Sequence, residues 1–544
     1  MPTRAMPLSL LYMPRLAPRA MKLSELRVDN FRAAVGLKLE LSHMTALVGV
    51  NGSGKTTILE ALDHFFRGTP FSREDYRRED KPITISVTFS QVPSTGTPVT
   101  IKKTWAREGS APTMDVEPKN LKVSEPDKIL DSVHMVFERA EHETDNDGTD
   151  KSDLDLVRLI KSTINEEISR ADLDTLLKES NLYYQNLEGG IARFAELVNQ
   201  KLQGDARGPT GYAPSSTVVF KIKRPDPEPD IEATFEEGEI ELPHRLAGHG
   251  TKRAYHMAAL EAYAETSPRG DSEHLVLMLV DEPELHQHPQ RLRRILQTYQ
   301  KMSAQPSFQI VYSTHSPELV DLAAPGGIYR ISRDHNPNIV AHSGSGISKE
   351  MSRRSMSKRL AEGIFSTGVI LVEGWRDEAL LEAIFSEVDV EGKSAMKRLI
   401  EDNIHVIRAD GVSHVPDYVG FFRELGVTLF VVWDADRHDS DHKQNRAILD
   451  ALGSETPFAA APDSSSYTLE PNYLCFANDA GMYFREHLGF EGSPDSDEQK
   501  AIVKNMIRDT PDLTKHFGAP GFLESDFAKI AVPRILGSFP VFPT

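Results

Sequence analysis

The sequence predicts an α/β protein made of two successive α/β domains, and three patterns support this fold class. The apolar strand Ala46–Val48 runs into a glycine-rich loop, Gly49–Thr56, and a helical pattern follows the loop. A second apolar strand, Leu277–Val280, ends in two acids. From Gly368 onward, short apolar strands again alternate with helical segments. Such alternation is typical of sheets whose faces are covered by helices.

Length, charge and composition narrow the class of protein. A chain of 544 residues exceeds the size of one hydrophobic core, so about two to four domains are expected. No apolar run reaches membrane-spanning length, and we expect a cytoplasmic protein without a membrane partner. The single cysteine, Cys475, excludes an intrachain disulfide and a cysteine-rich zinc site. The net charge of −19 argues against a general nucleic-acid binder, although acids that bind Mg²⁺ account for part of it.

The loop Gly49–Thr56 has the form of a phosphate-binding P-loop. Its glycines let backbone N–H groups turn toward phosphates, and the positive end of the following helix faces the same anion. Lys55 is expected to contact the β and γ phosphates, and Thr56 is expected to ligate Mg²⁺. The pattern therefore predicts ATP and Mg²⁺ at residues of the loop and the first helical turn: Gly49, Asn51, Gly52, Gly54, Lys55, Thr56 and Thr57.

The strand Leu277–Val280 carries the acids that ATP hydrolysis requires. Asp281 is expected to hold Mg²⁺ through water, and Glu282 is expected to polarise the attacking water. His315, at the end of the next apolar strand, is placed to sense the γ-phosphate. The alternative is a strand that ends in solvent-facing acids, and the neighbouring segment Pro283–His286 weighs against it.

These pieces together resemble the ABC-type ATPase heads of the SMC and RecF group. The resemblance rests on Asn30–Arg32, the P-loop, Asp281–His286 and His315. In that group two heads enclose two ATP molecules, which implies a homodimer or a higher homo-oligomer. Each head also presents a signature loop to the nucleotide of the other, and the counterpart here, Leu246–Arg253, departs from the usual Ser-Gly-Gly-Gln form. The residues that the resemblance implies at the nucleotide are Gly248 and Gly250.

Acids also end two apolar strands of the later half. Glu373 follows one strand, and Asp434 and Asp436 end the other. Because the carboxyl ends of parallel strands gather at one edge of a sheet, we expect these acids to meet there. Asp377 lies one helical turn after Glu373 and faces the same way. Converging carboxylates favour a divalent ion, Mg²⁺ or Mn²⁺, and two such ions support phosphodiester cleavage. The alternative is a set of ordinary strand-end acids.

The pattern of Glu-Gly after one strand and Asp-x-Asp after another resembles that of the Toprim domain, which is found in topoisomerases, primases and some nucleases. An ABC-type head followed by a Toprim domain resembles the OLD (overcoming lysogenisation defect) nucleases, from about Met21 to the C-terminus. The resemblance implies metal-dependent DNA cleavage, often in anti-phage defence, where a helicase or another defence protein is a partner. It also implies a further metal-binding acid and a late lysine that stabilises the pentavalent phosphate. We assign these roles to Glu470 and Lys529, with Lys504 or Lys515 as alternatives for the lysine.

The chain is accordingly divided into six segments. Residues 1–20 are rich in Arg and Pro and are expected to form a disordered leader. The helical pattern in 151–210 is expected to be an inserted arm, which either forms a dimer contact or packs on its own domain. The other segments are the two parts of the ATPase, 21–150 and 211–347, a basic connector, 348–367, and a Toprim domain with C-terminal helices, 368–544.

Two functions fit these patterns. One is a Toprim nuclease that ATP controls at paired heads, and the other is a RecF-like, ATP-dependent DNA-binding clamp or sensor without nuclease activity. The intact acids Glu373, Asp434 and Asp436 favour the enzyme. A primase is disfavoured because the sequence has no zinc ribbon, and a topoisomerase because no nucleophilic tyrosine is apparent. A transporter ATPase leaves the later half unexplained.

Overall fold

The structure is a computed structural model that describes most of the chain between residues 21 and 539. The predicted leader, Gly248 and most of the connector 348–367 lie outside the described residues. No helix in the described ranges combines the length and the apolar character needed to cross a bilayer. The described ranges are 21–90, 92, 95–119, 121, 125–140, 155–160, 180–204, 217–223, 230–237, 240–243, 249–266, 274–285, 289–320, 325–346, 362–436, 438–455, 458, 466–485, 487–488, 497–509 and 513–539.

The described residues fall into two compact units. The first takes those within 1–47, 54–323 and 333–341, and the second takes those within 48–53, 324–332 and 342–544. The glycine-rich loop is divided between them, with Gly49–Ser53 in the second unit and Gly54–Thr56 in the first.

The earlier half contains strands and helices in mixed order. Its strands are β1 (Lys22–Asp29), β2 (Leu37–Glu40), β3 (Met44–Val48), β4 (Ile83–Ser90), β5 (Val99–Trp105), β6 (Thr113–Glu117), β7 (Val133–Glu138), β8 (Thr217–Lys223), β9 (Asp230–Glu237), β10 (Ile240–Pro243), β11 (Leu275–Val280), β12 (Phe308–Thr314), β13 (Ile328–Arg333) and β14 (Ile339–Ser343). Its helices are α1 (Lys55–Arg67), α2 (Glu125–Asp131), α3 (Ser180–Gly204), α4 (His249–Thr266), α5 (Pro289–Ser303) and α6 (Pro317–Val320).

A central sheet positions the nucleotide motifs. Its strand order is β14-β13-β3-β12-β11-β7, and β11 runs parallel to both β7 and β12. Strands β3, β11 and β12 are buried along their whole length, as is typical of parallel strands covered on both faces. The glycine-rich loop follows β3 and Asp281 follows β11, so the predicted strand–loop–helix order is confirmed.

The other sheets of the earlier half are antiparallel. One has the order β2-β1-β4-β5-β6, and in β4 buried residues alternate with partly exposed ones. This alternation indicates one face on the core and one toward solvent. The second sheet has the order β10-β9-β8.

The described helix of the predicted insertion packs on its own domain. Helix α3 contacts α4 and β8. Its buried side chains, at helical spacing, are Leu187, Ile191, Phe194 and Val198. This helix therefore packs on its own domain, which is one of the two arrangements expected for the inserted arm. A dimer contact through the arm stays a prediction.

The later half is a second α/β sheet with helices around it. Its strands are β15 (Gly368–Val372), β16 (Asp389–Val390), β17 (Lys393–Ser394), β18 (Ile404–Arg408), β19 (Thr428–Asp434), β20 (Tyr467–Glu470) and β21 (Tyr473–Phe476). Its helices are α7 (Trp375–Glu387), α8 (Ala395–Glu401), α9 (Val415–Glu424), α10 (Lys443–Leu452), α11 (Ala480–Tyr483), α12 (Asp497–Asp509), α13 (Thr514–Phe517), α14 (Pro520–Leu523) and α15 (Val532–Gly537), with a π-helical turn at Phe527–Ala531.

Parallel pairing brings the predicted acid-bearing strands together. The sheet order is β18-β15-β19-β21-β20, with β15 parallel to β18 and β19, and β19 parallel to β21. Only β20 at the edge is antiparallel within this sheet. Ile370, Phe430 and Leu474 of neighbouring strands share one hydrophobic core with α7 and the C-terminal helices. The predicted second α/β domain is confirmed.

A buried arginine fastens β13 within the second unit. Arg330 is 6% exposed, and burial lowers the pKa of its guanidinium to about 10. The guanidinium donates hydrogen bonds to four main-chain carbonyl oxygens at 2.9–3.3 Å. The acceptors are Ile364 O, Ser366 O, Leu425 O and Gly426 O. A buried cation is tolerated there because several carbonyl dipoles share its charge.

Replacing Arg330 is therefore expected to destabilise the second unit. Arg330→Met leaves several buried carbonyls without a hydrogen-bond donor, and each unsatisfied carbonyl costs about 1–3 kcal/mol. We therefore expect the free energy of unfolding to fall by about 3 kcal/mol or more. Urea unfolding measures it. Arg446→Met is the matched control, because Arg446 lies on the surface and pairs along α10 with Asp450 at 2.9 Å. A loss no larger than that of the control contradicts the role assigned to Arg330.

Candidate functional site

The backbone of the glycine-rich loop requires glycine at two positions. Gly49 has φ 146°, and a Cβ there would lie 2.2 Å from Ile331 O. Gly54 has φ 111°, and a Cβ there would lie 2.4 Å from Ile339 Cδ1. Both values lie in the region that L side chains rarely adopt. A side chain at either position would therefore require the loop to change its conformation.

Thr56 and Asp281, the two residues predicted to bind Mg²⁺ at the nucleotide, are in contact in the structure. Thr56 Oγ1 donates a hydrogen bond to Asp281 Oδ2 at 3.0 Å, and Ser313 Oγ donates to Asp281 Oδ1. Lys55, at the start of α1, is buried, and burial lowers the pKa of its ammonium to about 8, against the attraction of Glu282 and Asp281. The predicted Lys55, Thr56 and Asp281 therefore lie together, and Thr57 is buried in the same helical turn.

Glu282, the residue predicted to polarise water, lies beside His315, the residue predicted to sense the γ-phosphate. Glu282 Oε1 lies 3.3 Å from His315 Nε2. Glu282 has a positive φ of 49°, and its N–H donates to Ser313 Oγ at 3.0 Å. Burial, with repulsion from Lys55, lowers the pKa of His315 to about 4, so the imidazole is neutral at pH 7. A neutral imidazole beside Glu282 offers a hydrogen bond without adding a charge.

Glu284 belongs to the predicted motif Asp281–His286, but no role was predicted for it. Its Oε1 accepts hydrogen bonds from Thr314 Oγ1 at 2.9 Å and from the N–H of His315. It therefore fixes the end of β12 that carries His315. Gly250 lies in the first turn of α4, whereas the predicted partner Gly248 is outside the described residues, and Asn51 and Gly52 lie in the exposed part of the loop.

The second group of acids lies at one edge of the later sheet. Val372 of β15 pairs with Val432 of β19, so Glu373 and Asp434 leave neighbouring strands at nearly the same level. Asp434 and Asp377 are buried, at 7% and 5% exposure. Glu373 Oε2 is buried and has no hydrogen-bond partner among the described residues. Such an oxygen has an unfilled need for a donor or a cation.

Burial and mutual repulsion raise the pKa of these carboxyls. The pKa of Glu373 rises to about 7 through burial, then through the charges of Asp377 and Asp436. Burial raises the pKa of Asp377 to about 6, against the attraction of Arg376. The pKa of Asp434 is raised well above its ordinary value by burial and then by the charges of Asp377 and Asp479. The predicted acids therefore repel one another electrostatically, and each ionised carboxylate disfavours ionisation of the next.

The carboxylates line a common edge without closing on one point. Asp377 Oδ2 accepts the N–H of Gly374 at 2.9 Å, and Asp434 Oδ1 accepts the N–H of Ala480 at 3.0 Å. In the part of the chain that the structure describes, no three His, Cys, Asp or Glu side chains are grouped closely enough to hold an ion as they stand. The donor set nevertheless fits Mg²⁺, which takes carboxylate oxygens and keeps several waters.

The register does not bring Glu470 to this edge. Asp434 pairs with Phe476 at the end of β21, whereas Glu470 of the antiparallel β20 pairs with Tyr473 at its start. Three residues of strand correspond to about 10 Å. Because β20 runs back antiparallel to β21, Glu470 lies at the opposite end of these strands from Asp434, and its role as a metal ligand stays a prediction.

Lys529 lies in the π-helical turn and is not brought to the acids in this structure. Its side chain is 52% exposed and pairs with Glu524. The turn itself lies near the acid edge, because Phe527 packs on Tyr467 and Phe476 with ring centroids 5.6 and 6.0 Å apart. Its role as the late lysine stays a prediction.

Two residues at the edge were missed by sequence reasoning. Asp479 is 4% exposed, and its Oδ2 accepts a hydrogen bond from Arg376 Nη1 at 2.7 Å. Asp479 follows the apolar strand β21, so the rule that found Glu373 and Asp434 applies to it equally. Nothing local in the sequence indicates Arg376 as its partner.

Comparisons with known proteins agree with this geometry. Residues 44–321 match the family described as "AAA domain, putative AbiEii toxin, Type IV TA system", and residues 364–436 match "Overcoming lysogenization defect protein-like, TOPRIM domain". The second match ends at Asp436, the last of the predicted strand-end acids.

Curated relatives align over most of the chain. The OLD nuclease of Thermus scotoductus is 23% identical over 81% of this chain and 90% of its own length. The Old nuclease of Escherichia phage P2 is 22% identical over 76% of this chain and 77% of its own. Endonuclease GajA of Bacillus cereus is 22% identical over 80% of this chain and 78% of its own.

A solved structure of the recombination mediator RecF is a distant match. It has a TM-score of 0.35 at 13% identity and covers 60% of this chain and 100% of that chain. The family assignment rests instead on the sequence matches, the first of which spans more than half of the chain. The protein therefore belongs to the AAA-domain family that the first match describes and, with the OLD-type Toprim domain behind that ATPase domain, has the architecture of the OLD family.

Proposed function

We propose that the protein is an ATP-dependent and divalent-metal-dependent DNA endonuclease. In this proposal the Toprim domain cuts or nicks DNA, and ATP bound by the ATPase domain controls the cutting. The observation that carries the proposal is the Toprim edge, where Asp434 and Asp377 are buried and Glu373 keeps a buried oxygen without a partner among the described residues. The relatives named as nucleases over most of the chain support it.

The residues that would hold the divalent ion are Glu373, Asp434 and Asp436, with Asp377 beside them. Bound Mg²⁺ or Mn²⁺ would supply an activated water and offset the charge of the phosphodiester. The chain itself supplies the environment: burial leaves the carboxylates poorly solvated, so they favour a cation over water. Lys529 is proposed to approach the scissile phosphate from the π-helical turn.

The ATPase half supplies the control. Lys55 is proposed to bind the phosphates, Thr56 and Asp281 the Mg²⁺, and Glu282 to orient water for hydrolysis with His315 beside it. Gly248 and Gly250 are proposed to face the nucleotide of a second copy, which makes a homodimer or larger homo-oligomer the working assembly.

The remaining parts of the proposal concern setting and boundaries. The single cysteine suits a reducing compartment, and we place the protein in the cytoplasm, acting on DNA in anti-phage defence with a helicase or another defence protein as partner. The ATPase is proposed to occupy 21–150 and 211–347, the inserted arm 151–210, and the Toprim domain 368–544.

A clamp or sensor without nuclease activity is the weaker candidate. Burying several carboxylates beside one another opposes folding, because each resists desolvation and repels the next. A domain that only bound DNA would gain nothing from that arrangement. The assembled acid edge therefore favours the enzyme.

Cutting of supercoiled plasmid tests the proposal. We expect the wild type to nick or linearise plasmid with Mg²⁺ or Mn²⁺. The rate of cutting by Asp434→Asn should be at least about 100-fold lower, a larger loss than removal of an outer-shell metal partner usually causes. Lys55→Ala is expected to change only the dependence on ATP. Asp450→Asn is the matched control, because Asp450 is an exposed aspartate paired with Arg446. No cutting by the wild type under any condition favours the clamp, and unchanged cutting by Asp434→Asn removes the Toprim edge as the site.

Nucleotide affinity is expected to fall at alkaline pH. The pKa of Lys55 is lowered to about 8, so the empty site loses its ammonium charge as the pH rises through that value. The affinity for Mg²⁺-free ATP should therefore drop about tenfold between pH 7 and pH 9. Titration with a fluorescent ATP analogue measures it. In Lys55→Arg the side chain stays charged and the affinity should be flat over this range; an equal fall in that variant assigns the effect to another group.

A further inference from the structure

The Toprim edge contains a permanent cation of its own. Arg376 is the second residue of α7, three residues after Glu373 and one before Asp377. Its side chain is 24% exposed and donates from Nη1 to Asp479 Oδ2 at 2.7 Å. Asp434 and Asp377 also attract this guanidinium electrostatically. The arginine therefore lies within reach of the carboxylates that the proposed function assigns to a divalent ion.

Asp479 is fixed by the helix that it begins. It is the N-cap of α11, and its Oδ1 accepts the N–H of Met482 at 3.1 Å. The next residue, Ala480, donates its N–H to Asp434 Oδ1 at 3.0 Å. The same short segment thus holds Arg376 through a side chain and Asp434 through the backbone, and the spacing between the cation and the acid is set by these bonds.

A guanidinium and a metal ion compete for the same oxygens. Arginine pairs with carboxylates through two parallel hydrogen bonds and is never deprotonated, so an arginine free to reach Asp434 or Asp377 would occupy the lone pairs that a divalent ion needs. Asp479 gives Arg376 another carboxylate at hydrogen-bond distance. Asp377 and Asp434 accept backbone donors instead, Gly374 N–H and Ala480 N–H respectively.

We propose that Asp479 is a positioning residue that holds Arg376 away from the metal-binding carboxylates, so that a divalent ion gains access to Glu373, Asp434 and Asp436. The proposal rests on the proposed function only in taking those acids as the metal site. It makes Asp479 act through Arg376 and gives it no contact with the ion.

Two other roles for Asp479 predict different effects of these substitutions on metal affinity. If Asp479 were a metal ligand, its loss would weaken metal binding whether or not Arg376 is present. If the pair were a structural clasp, loss of either partner would weaken binding alike. In the proposal, loss of Asp479 weakens metal binding, loss of Arg376 does not, and removing Arg376 as well repairs the loss of Asp479.

Calorimetric titration with Mn²⁺ separates these cases. The full-length chain is used without nucleotide and with Thr56→Ala, so that the P-loop contributes no metal site. Asp479→Asn is expected to raise the Mn²⁺ dissociation constant by about tenfold or more, the range typical of outer-shell partners. Arg376→Gln should bind Mn²⁺ at least as tightly as the parent, and the double variant should return to within about twofold of Arg376→Gln.

A matched control and a stability measurement accompany the titration. Glu401→Gln removes an exposed ion pair of the same domain, Lys393–Glu401 at 2.7 Å, and should leave Mn²⁺ binding unchanged. Thermal unfolding midpoints identify any variant that fails to fold. If Asp479→Asn fails to fold, the Mn²⁺ affinity of Arg376→Gln decides, because weaker Mn²⁺ binding by Arg376→Gln overturns the proposal.

The outcomes are distinct from those of the nuclease proposal. A double variant as weak as Asp479→Asn overturns the positioning role, and so does a parent chain that binds no Mn²⁺. The expected order of affinities in a protein that cuts no plasmid would support the positioning of Arg376 and remove the nuclease assignment.

Discussion

Desolvation of carboxylates at the ends of β15 and β19 is the constraint on which the Toprim half depends. Taking an ion out of water costs several kcal/mol, and repulsion between neighbouring acids adds to it. Two backbone donors, Gly374 N–H and Ala480 N–H, offset part of that cost at Asp377 and Asp434. Both donors belong to the first residues of helices or to their caps. The placement of α7 and α11 at this edge therefore follows from what the acids require, and Glu373 Oε2 is the oxygen left without such a donor.

The nucleotide half satisfies its acid in another way. Both oxygens of Asp281 accept hydrogen bonds from neutral hydroxyls, those of Thr56 and Ser313. Hydroxyl donors satisfy the carboxylate oxygens without placing a second positive charge beside them. The cation of this half, Lys55, lies in the P-loop helix, where phosphate rather than a carboxylate is the expected partner. Two apolar strands that end in acids thus give different chemistry, according to whether hydroxyls or further carboxylates surround them.

The sequence was sufficient where burial and local geometry decide the structure. Uninterrupted apolar runs located β3, β11, β15 and β19, because parallel strands covered on both faces have no polar positions to spare. It was insufficient where strand direction decides. Strand β20 runs antiparallel to β21, so Glu470 lies three residues of strand away from the level of Asp434. The link Pro471–Asn472 is a turn signal, but the sequence alone does not state which strands pair. Asp479 and Arg376 lie 103 residues apart, and only the fold shows that two helix starts meet.

Cys475 gives this protein a built-in probe of one sheet. It is the only thiol in the chain, is buried in β21 opposite Trp433, and lies one residue before the partner of Asp434. Burial, followed by the charges of Asp434 and Glu373, raises its thiol pKa well above the ordinary value, so the reactive thiolate is scarce in the folded state. Alkylation under native conditions therefore proceeds only through opening of the sheet around β21. Its rate reports the local stability of the acid-bearing edge, while the ATPase half, which has no sulfhydryl, stays silent.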